Sequence, residues 1–340
     1  MEAGQEKSTV FRIMGVELSP YSVKVRSYFR YKEIPHQWIV RGIEQQKEFE
    51  KYAKLPLIPL VITPEETGIQ DSTPILEKIE ALYPERSIHP PDPVARFISA
   101  LLEEFGDEWG NKWMFHFRWA REVDQVSAAG RLACIMMPQA GESDLAGLRD
   151  QIRERMTSRV WFVGSSEQTA PQIEASLHEG LAQLETHLSG RSYLFGGRPA
   201  FGDFGLWGQV YNAWTDPTVG ACIEGRYPSV LAWLQRMLWP RDEGPFESWS
   251  ELSATLAPFV ERQAGALFLP WSMANAAAIA AGEDEFTVSL DGQDWTQKPQ
   301  KYHARSLAAL RERYAALDAA DRNSVDAALE PLGCLAALNS

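Results

Sequence analysis

Three short constellations near the start of the chain combine residue types and spacings that can do chemistry. The first is Ser19-Pro20-Tyr21-Ser22, set between an apolar run and a helical pattern. A helix N-terminus gathers unpaired N–H groups and the positive end of the dipole, and so draws thiolates and other anions. A two-cysteine redox centre at this turn would need Cys at 19 and 22; both are serine, which excludes disulfide exchange there. A serine hydroxyl can instead donate to a thiolate carried by a substrate and lower its pKa from about 8.5 toward neutrality. The same serine can also serve as a plain N-cap.

The second constellation is Ile58-Pro59, opening a strand-like run. Proline withholds a ladder donor, so it belongs at a strand's first residue or edge. In cis it would leave the Ile58 backbone groups to an extended, peptide-like ligand; in trans it is an ordinary strand opening. The third is Gln70-Asp71-Ser72 at a helix start. Backbone N–H groups and the Ser72 hydroxyl can hold a carboxylate while Asp71 pairs with an ammonium, an arrangement suited to the α-amino-acid end of a γ-glutamyl group. The bland alternative is a cap by Asp71 or Thr73 with Pro74 just inside the helix.

These residues must be positioned by a succession of short elements. Thr9 to Val16 reads as a buried strand, and a helix follows from Ser22 with Val25, Tyr28 and Phe29 inward and Lys24, Arg26 and Arg30 toward solvent. His36 to Val40 is a second strand, Glu44 to Lys54 a charged helix, and Leu57 to Ile62 a third strand. Thr63 to Gly68 has hairpin-turn composition before a fourth strand at Ile69-Gln70, and Ile75, Leu76, Ile79, Leu82 and Tyr83 recur at helical spacing. The order is βαβαββα.

His89-Pro90-Pro91-Asp92-Pro93 is a linker, because its prolines deny backbone donors to either structure type. Beyond it the pattern is helical: Val94 to Trp119, then a stripe of Ile173, Leu177, Leu181, Leu184 and Leu188, then Val230, Leu231, Leu234 and Met237. Trp109, Trp113 and His116 in the first of these are open to two readings, core packing or the lining of an apolar second-substrate site. After Trp239-Pro240 an alanine-rich helix, Leu252 to Ala281, leads to Phe286–Leu290, which alternates with period 2 ahead of the turn pair Asp291-Gly292. Two amphipathic helices close the chain. His303, beside Tyr302, has no placement that the sequence supplies. The division is 8–88, 92–245 and an extension, 246–340, giving an α+β fold class.

Composition narrows the function. Of 340 residues, 33 are Lys or Arg against 46 Asp or Glu, a net charge of −13 that repels nucleic-acid and anionic-membrane phosphates. No apolar run approaching about 18 residues is evident, and the polar stretch Met1 to Thr9 carries no secretory signature, so neither membrane nor export is expected. Three isolated cysteines (Cys134, Cys222, Cys334) and six histidines without ligand spacing predict no disulfide framework and no metal, in keeping with a cytoplasmic protein.

The three constellations, in this order, resemble one family. From Val10 to Tyr83 the chain is similar to the thioredoxin-like N-terminal domain of glutathione transferases, and from Pro93 to about Leu238 to their all-helical C-terminal domain, roughly two thirds of the chain in all. The resemblance implies that Ser19 is the catalytic serine that activates the glutathione thiol, with Tyr21 beside it. It implies that Ile58-Pro59 holds the cysteinyl backbone and that Asp71-Ser72 holds the γ-glutamyl end. It further implies glutathione as co-substrate, a small apolar electrophile as second substrate and a homodimer. Gly202-Asp203-Phe204-Gly205-Leu206 is similar to the family's helix-start motif, whose role is folding. Leu57 stands where members often place a cation for the glycine carboxylate, and Ala200 where a hydroxyl usually completes the cap, a loss of about 1 kcal/mol. The same scaffold would also suit a glutathione-dependent lyase, dehalogenase or isomerase, or a non-catalytic interaction module of the metaxin-like kind.

Overall fold

A computed structural model describes residues 10–339; the expectation about the extreme N-terminus lies outside them. The N-terminal unit runs β1 (Phe11–Gly15), α1 (Pro20–Tyr31), β2 (His36–Val40), α2 (Gln46–Tyr52), β3 (Leu60–Ile62), β4 (Gly68–Gln70) and α3 (Ser72–Leu82). The sheet order is β2-β1-β3-β4, with β1 parallel to β2 and antiparallel to β3. The expected βαβαββα order and α+β class are thus observed. β3 begins at Leu60, three residues later than expected, and the cis Ile58–Pro59 peptide precedes the ladder.

The helical unit comprises α4 (Pro93–Phe105), α5 (Asn111–Ala120), α6 (Glu122–Met136), α7 (Glu142–Thr157), α8 (Ala170–Leu188), α9 (Phe201–Trp214), α10 (Pro217–Arg226) and α11 (Pro228–Arg236). A π-helical turn, Gly106–Gly110, joins α4 to α5, so one continuous rod runs from Pro93 to Ala120. The extension contains α12 (Trp249–Phe259), a π-helical stretch Val260–Phe268, α13 (Leu269–Ala281), the hairpin strands β5 (Phe286–Leu290) and β6 (Gln293–Gln297), and α14 (Ala304–Ala315), α15 (Ala319–Leu329) and α16 (Leu335–Leu338). Asp291 and Gly292 both have positive φ, 54° and 72°, the backbone that a two-residue I′ turn demands and that made this pair legible in advance.

The continuous helix Trp249–Ala281 is, by length and apolarity, long enough to cross a bilayer, which corrects the expectation that no such segment exists. Half of its apolar window is buried inside the protein, where Leu252, Leu256, Phe259, Val260, Phe268 and Trp271 join the same core as α4, α5 and α8. It is the core helix that binds the extension to the body.

Close approach is set by glycine. A Cβ on Gly205 would stand 2.7 Å from the Glu103 Cα, and one on Gly208 would stand 2.7 Å from the Pro20 carbonyl oxygen, so α9 crosses both α4 and the start of α1 at backbone contact. Asp203, fully buried, accepts from the N–H groups of Ala200 (2.9 Å) and Leu194 (2.8 Å) and from the Trp233 indole (3.0 Å). Half of the capping box therefore survives without a hydroxyl at Ala200. Burial still pushes the Asp203 carboxyl up to about 7, against the pull of its donors.

On α8, His187 is buried between the Leu194 carbonyl and the Thr255 hydroxyl, 2.8 Å from each. Burial pushes the imidazole down to about 4. A folded-state value below the ordinary 6.5 means that its contribution is present above about pH 6.5 and lost as pH falls toward 4. The stability difference between wild type and His187→Gln should accordingly shrink by up to about 1.4 kcal/mol for each pH unit below 6.5. Urea titrations at a series of pH values check this, and a pH-independent difference would contradict it.

Candidate functional site

A cavity of about 770 Å³ opens where α3, the α4–α5 rod and the start of α14 meet the loop before β3. Tyr21, Ile58, Pro59, Asp71 and Ser72, which stand far apart in sequence, all line it. The mouth loop is held by one side chain: the Gln70 amide accepts from the Lys54 and Leu55 N–H groups and donates to the Leu55 and Leu57 carbonyls at 2.7–3.0 Å. Asp71 adopts φ 75°, ψ 124°, a conformation that costs a non-glycine residue about 1–3 kcal/mol and that clusters at ligand sites.

Beneath Asp71 lies a buried ionic network. The Lys24 ammonium is completely shielded and donates to Asp107 Oδ2 (2.7 Å), to Glu103 Oε1, and to the Ser72 and Thr73 hydroxyl oxygens (3.2 Å each). The Ser72 hydroxyl donates in turn to Asp107 Oδ2 at 3.2 Å. Burial alone would lower the lysine, but the two carboxylates overcome it and hold the ammonium charged. Burial pushes the Asp107 carboxyl up to about 7, with Lys24 pulling it down and Glu103 adding to the rise. The expectation that Lys24 and Arg26 face solvent is corrected: α1 packs against α3 and α9, so Lys24 is buried against Glu103 and Asp107 and Arg26 is mostly covered, its guanidinium paired with the partly exposed Glu17.

Ser19 does not line the cavity. It is the N-cap of α1, its Oγ accepting from the Ser22 N–H at 3.2 Å, and the hydroxyl hydrogen is left to donate elsewhere. Tyr21 is anchored by donating to the Asp107 carbonyl at 2.9 Å.

Trp109, Trp113 and His116 do not line the cavity either, and the second-substrate lining expected of them is corrected. Both indoles donate to Ser176 Oγ at 2.9 Å inside the core, and His116 lies 2.7 Å from Ser165 Oγ and 3.2 Å from Glu174. The α4–α5 rod instead turns Glu104, Asp107, Glu108 and Asn111 toward the cavity. Their i, i+3, i+4, i+7 spacing is a polar stripe on an otherwise aromatic rod and was the available signal. Burial raises Glu104 well above the carboxylate range, with Glu103 adding to it.

The extension closes the remaining side. The Tyr302 hydroxyl donates to Asp71 Oδ2 at 2.6 Å, and His303, Arg305, Ser306 and Ala309 follow it along the wall. No spacing in the sequence brings Tyr302 to a residue 231 positions away. Lys54, Lys78 and Arg305 also line the cavity, supplying the cations that Leu57 does not.

A thioredoxin-like domain packed on a helical bundle, with a cavity at their junction, defines the class of glutathione-handling transferase folds. Residues 13–87 match the family model described as glutathione S-transferase, N-terminal domain, and residues 150–236 the one described as glutathione S-transferase, C-terminal domain. The chain belongs to the glutathione transferase superfamily. Among solved structures it is similar to a Tau class glutathione S-transferase from mango, Mangifera indica (16% identity, 68% of this chain and 89% of that one, TM-score 0.40). It is also similar to a glutathione S-transferase from Methylobacterium radiotolerans in complex with glutathione sulfonate (18%, 71% and 97%, 0.39). A third is a beta-etherase from Sphingobium (17%, 67% and 94%, 0.46). Comparison with curated proteins returned no match.

Proposed function

We propose that the protein is a glutathione-dependent transferase that ionises the glutathione thiol and directs it at a small electrophile. One observation carries the reading: Tyr21, Ile58, Pro59, Asp71 and Ser72 line a single cavity at the junction of the sheet domain and the α4–α5 rod. In this reading Asp71 and Ser72 take the γ-glutamyl end, Ile58 and Pro59 the cysteinyl backbone, and Ser19 donates its hydroxyl to the sulfur. Holding thiolate and electrophile together supplies the rate through positioning and a lowered thiol pKa, with no covalent enzyme intermediate. The electrophile's apolar portion would lie against Leu55, Leu57, Phe162 and Ala309, and its polar portion against the Glu104–Asn111 stripe. A cytoplasmic homodimer completes the proposal, with light scattering of the purified protein as its check.

Glutathione titration followed by the fluorescence of the 12 tryptophans tests the reading, and failure to bind at millimolar-scale concentration would reject it. Ser19→Ala should abolish thiolate absorbance at neutral pH while keeping most of the affinity, at a cost of about 1 kcal/mol for the lost cap. Unchanged absorbance would reduce Ser19 to a cap.

Lys54, at the exposed mouth, takes over the glycine-carboxylate role that Leu57 cannot fill. Lys54→Met should weaken glutathione about three- to fivefold, the scale of one solvent-screened ion pair, and high salt should erase the difference. Equal affinities at low salt would assign the carboxylate to Lys78 or Arg305.

A further inference from the structure

The extension meets the cavity through one polar contact to which the reading above gives no task. The Tyr302 hydroxyl donates to Asp71 Oδ2 at 2.6 Å, across 231 positions of chain. Among the described residues it is the one hydrogen-bond donor to that carboxylate, and the Asp71 side chain makes no cap bond to α3. A carboxylate offers about four acceptor positions on its two oxygens, so a single phenol leaves the rest to a ligand. Both residues line the cavity. Tyr302 is 43% exposed and Asp71 half-buried, so the pair borders open space and not the core.

The donor is held from both sides. Ahead of it the Gln300 backbone is clamped to α13: its N–H donates to Asn275 Oδ1 at 2.8 Å and its carbonyl accepts from Asn275 Nδ2 at 3.1 Å, with Asn275 fully buried. Behind it the Arg305 N–H donates to the Tyr302 carbonyl at 3.1 Å as α14 begins. The same helix is tied to α3 again by Arg313 Nη2 on Glu77 Oε1 at 2.6 Å. The phenol therefore meets Asp71 as a fixed brace between the extension and the start of α3. Burial and the neighbouring Asp71 carboxylate raise the phenol above its ordinary range, with Asp107 adding to the rise and Arg305 opposing it, so the hydroxyl stays a donor.

We propose that Tyr302 is a positioning residue for ligand binding: its hydroxyl fixes the Asp71 carboxylate to receive the α-ammonium of glutathione, which makes recognition of the amino end depend on the extension. This rests on the glutathione reading of the site. Without the phenol the carboxylate must be ordered each time an ammonium binds, and part of the pairing energy is lost to that ordering. Phenol and ammonium are both donors, so they take different lone pairs of the carboxylate and bind it together.

Two ligands separate positioning from mere support of the wall. Calorimetric titrations use glutathione and an analogue with a glutaryl group in place of γ-glutamyl, which lacks only the α-amino group. Wild type should prefer glutathione. Tyr302→Phe, which keeps the ring and removes the hydroxyl, should weaken glutathione about three- to tenfold, the scale of one partly exposed hydrogen bond to a charged group, and leave the analogue within about twofold. In an Asp71→Asn background the same change should have no further effect on glutathione, because the carboxylate that it positions is gone. Unchanged glutathione affinity in Tyr302→Phe overturns the proposal, as does tighter binding, which would make the phenol a competitor for Asp71. Equal weakening of both ligands would reduce Tyr302 to a wall support and overturn it too. A wild type that binds both ligands equally removes the ammonium from Asp71 and the proposal with it. A wild type that binds no glutathione overturns the parent reading, and that is seen before any variant is made.

Discussion

Replacing Lys24 with methionine should destabilise the protein by about 3–5 kcal/mol and abolish glutathione binding. Among the described residues the ammonium is the sole cation hydrogen-bonded to two buried carboxylates, Glu103 and Asp107, and it also holds the Ser72 and Thr73 hydroxyls. Removing one member of a buried ionic cluster leaves uncompensated charge, which is why this loss exceeds that of an exposed pair. Because α1 supplies the lysine, α3 the hydroxyls and the α4–α5 rod the carboxylates, the variant also loosens the junction at which the cavity is built. The pH dependence has a definite sign. The orphaned Asp107 carboxyl has a folded-state pKa above its unfolded one, so the deficit should be largest above pH 7 and shrink on acidification as it protonates. The triple variant Lys24→Met, Glu103→Gln, Asp107→Asn should regain most of the stability, since a neutral hydrogen-bonded cluster carries no unpaired charge. Thermal or urea unfolding measures both. A Lys24→Met protein as stable as wild type would show that the network contributes nothing to the fold.

Deleting residues 246–340 should leave a chain that does not fold. The extension follows the two family domains in sequence, but its side chains belong to their core. Phe105 packs edge-on against Phe259 (5.6 Å) and Phe268 (6.0 Å), and Trp109 against Trp271 (6.0 Å) and Trp295 (5.3 Å). Lys112, buried with no carboxylate among its hydrogen-bond partners, sits over the Trp271 ring at 3.7 Å and donates to the Val163 carbonyl at 3.0 Å. Burial drives its pKa well down, and the deletion removes Trp271 and Trp295 from above this amine, leaving it the more distant Trp109 ring at 5.5 Å. The Ser176 hydroxyl, which accepts from both Trp109 and Trp113, donates to Gln263 at 2.7 Å. Losing the four rings Phe259, Phe268, Trp271 and Trp295 from the core forfeits about 2 kcal/mol or more apiece, comparable with the whole net stability of about 5–15 kcal/mol. Expression of residues 1–245 followed by near-ultraviolet circular dichroism checks this. A native-like aromatic spectrum from the truncated chain would make the extension an accessory after all.

Much of the local structure was legible because it depends on neighbours in sequence. The order βαβαββα follows from alternating short apolar runs and helical periodicities, and Asp291-Gly292 demanded its turn through backbone preference alone. The stripe Ile173, Leu177, Leu181, Leu184 and Leu188 on α8 is buried throughout, as a 3.6-residue period requires. Side chains whose fate depends on another element are not legible this way. Lysine usually goes to solvent, yet the buried charge of Lys24 becomes tolerable once carboxylates from a distant helix meet it. Periodicity leaves Trp109 and Trp113 open to core or cavity, because which face of a long helix meets a cavity is set by packing against α8 and the extension.

The sequence by itself carried the two glutathione S-transferase segments and singled out Tyr21, Ile58, Pro59, Asp71 and Ser72, which the fold gathers round one cavity, because these lie in local motifs whose spacing is tied to strand ends and helix starts. Only the tertiary structure decided that the last third of the chain completes the core and walls the cavity, bringing Tyr302 to Asp71 and His303 to Glu108. The physical reason is range. Propensity, capping and periodicity act over a few residues, whereas burial, ion pairing and cavity lining join residues up to about two hundred positions apart, a pairing that only the packed chain specifies.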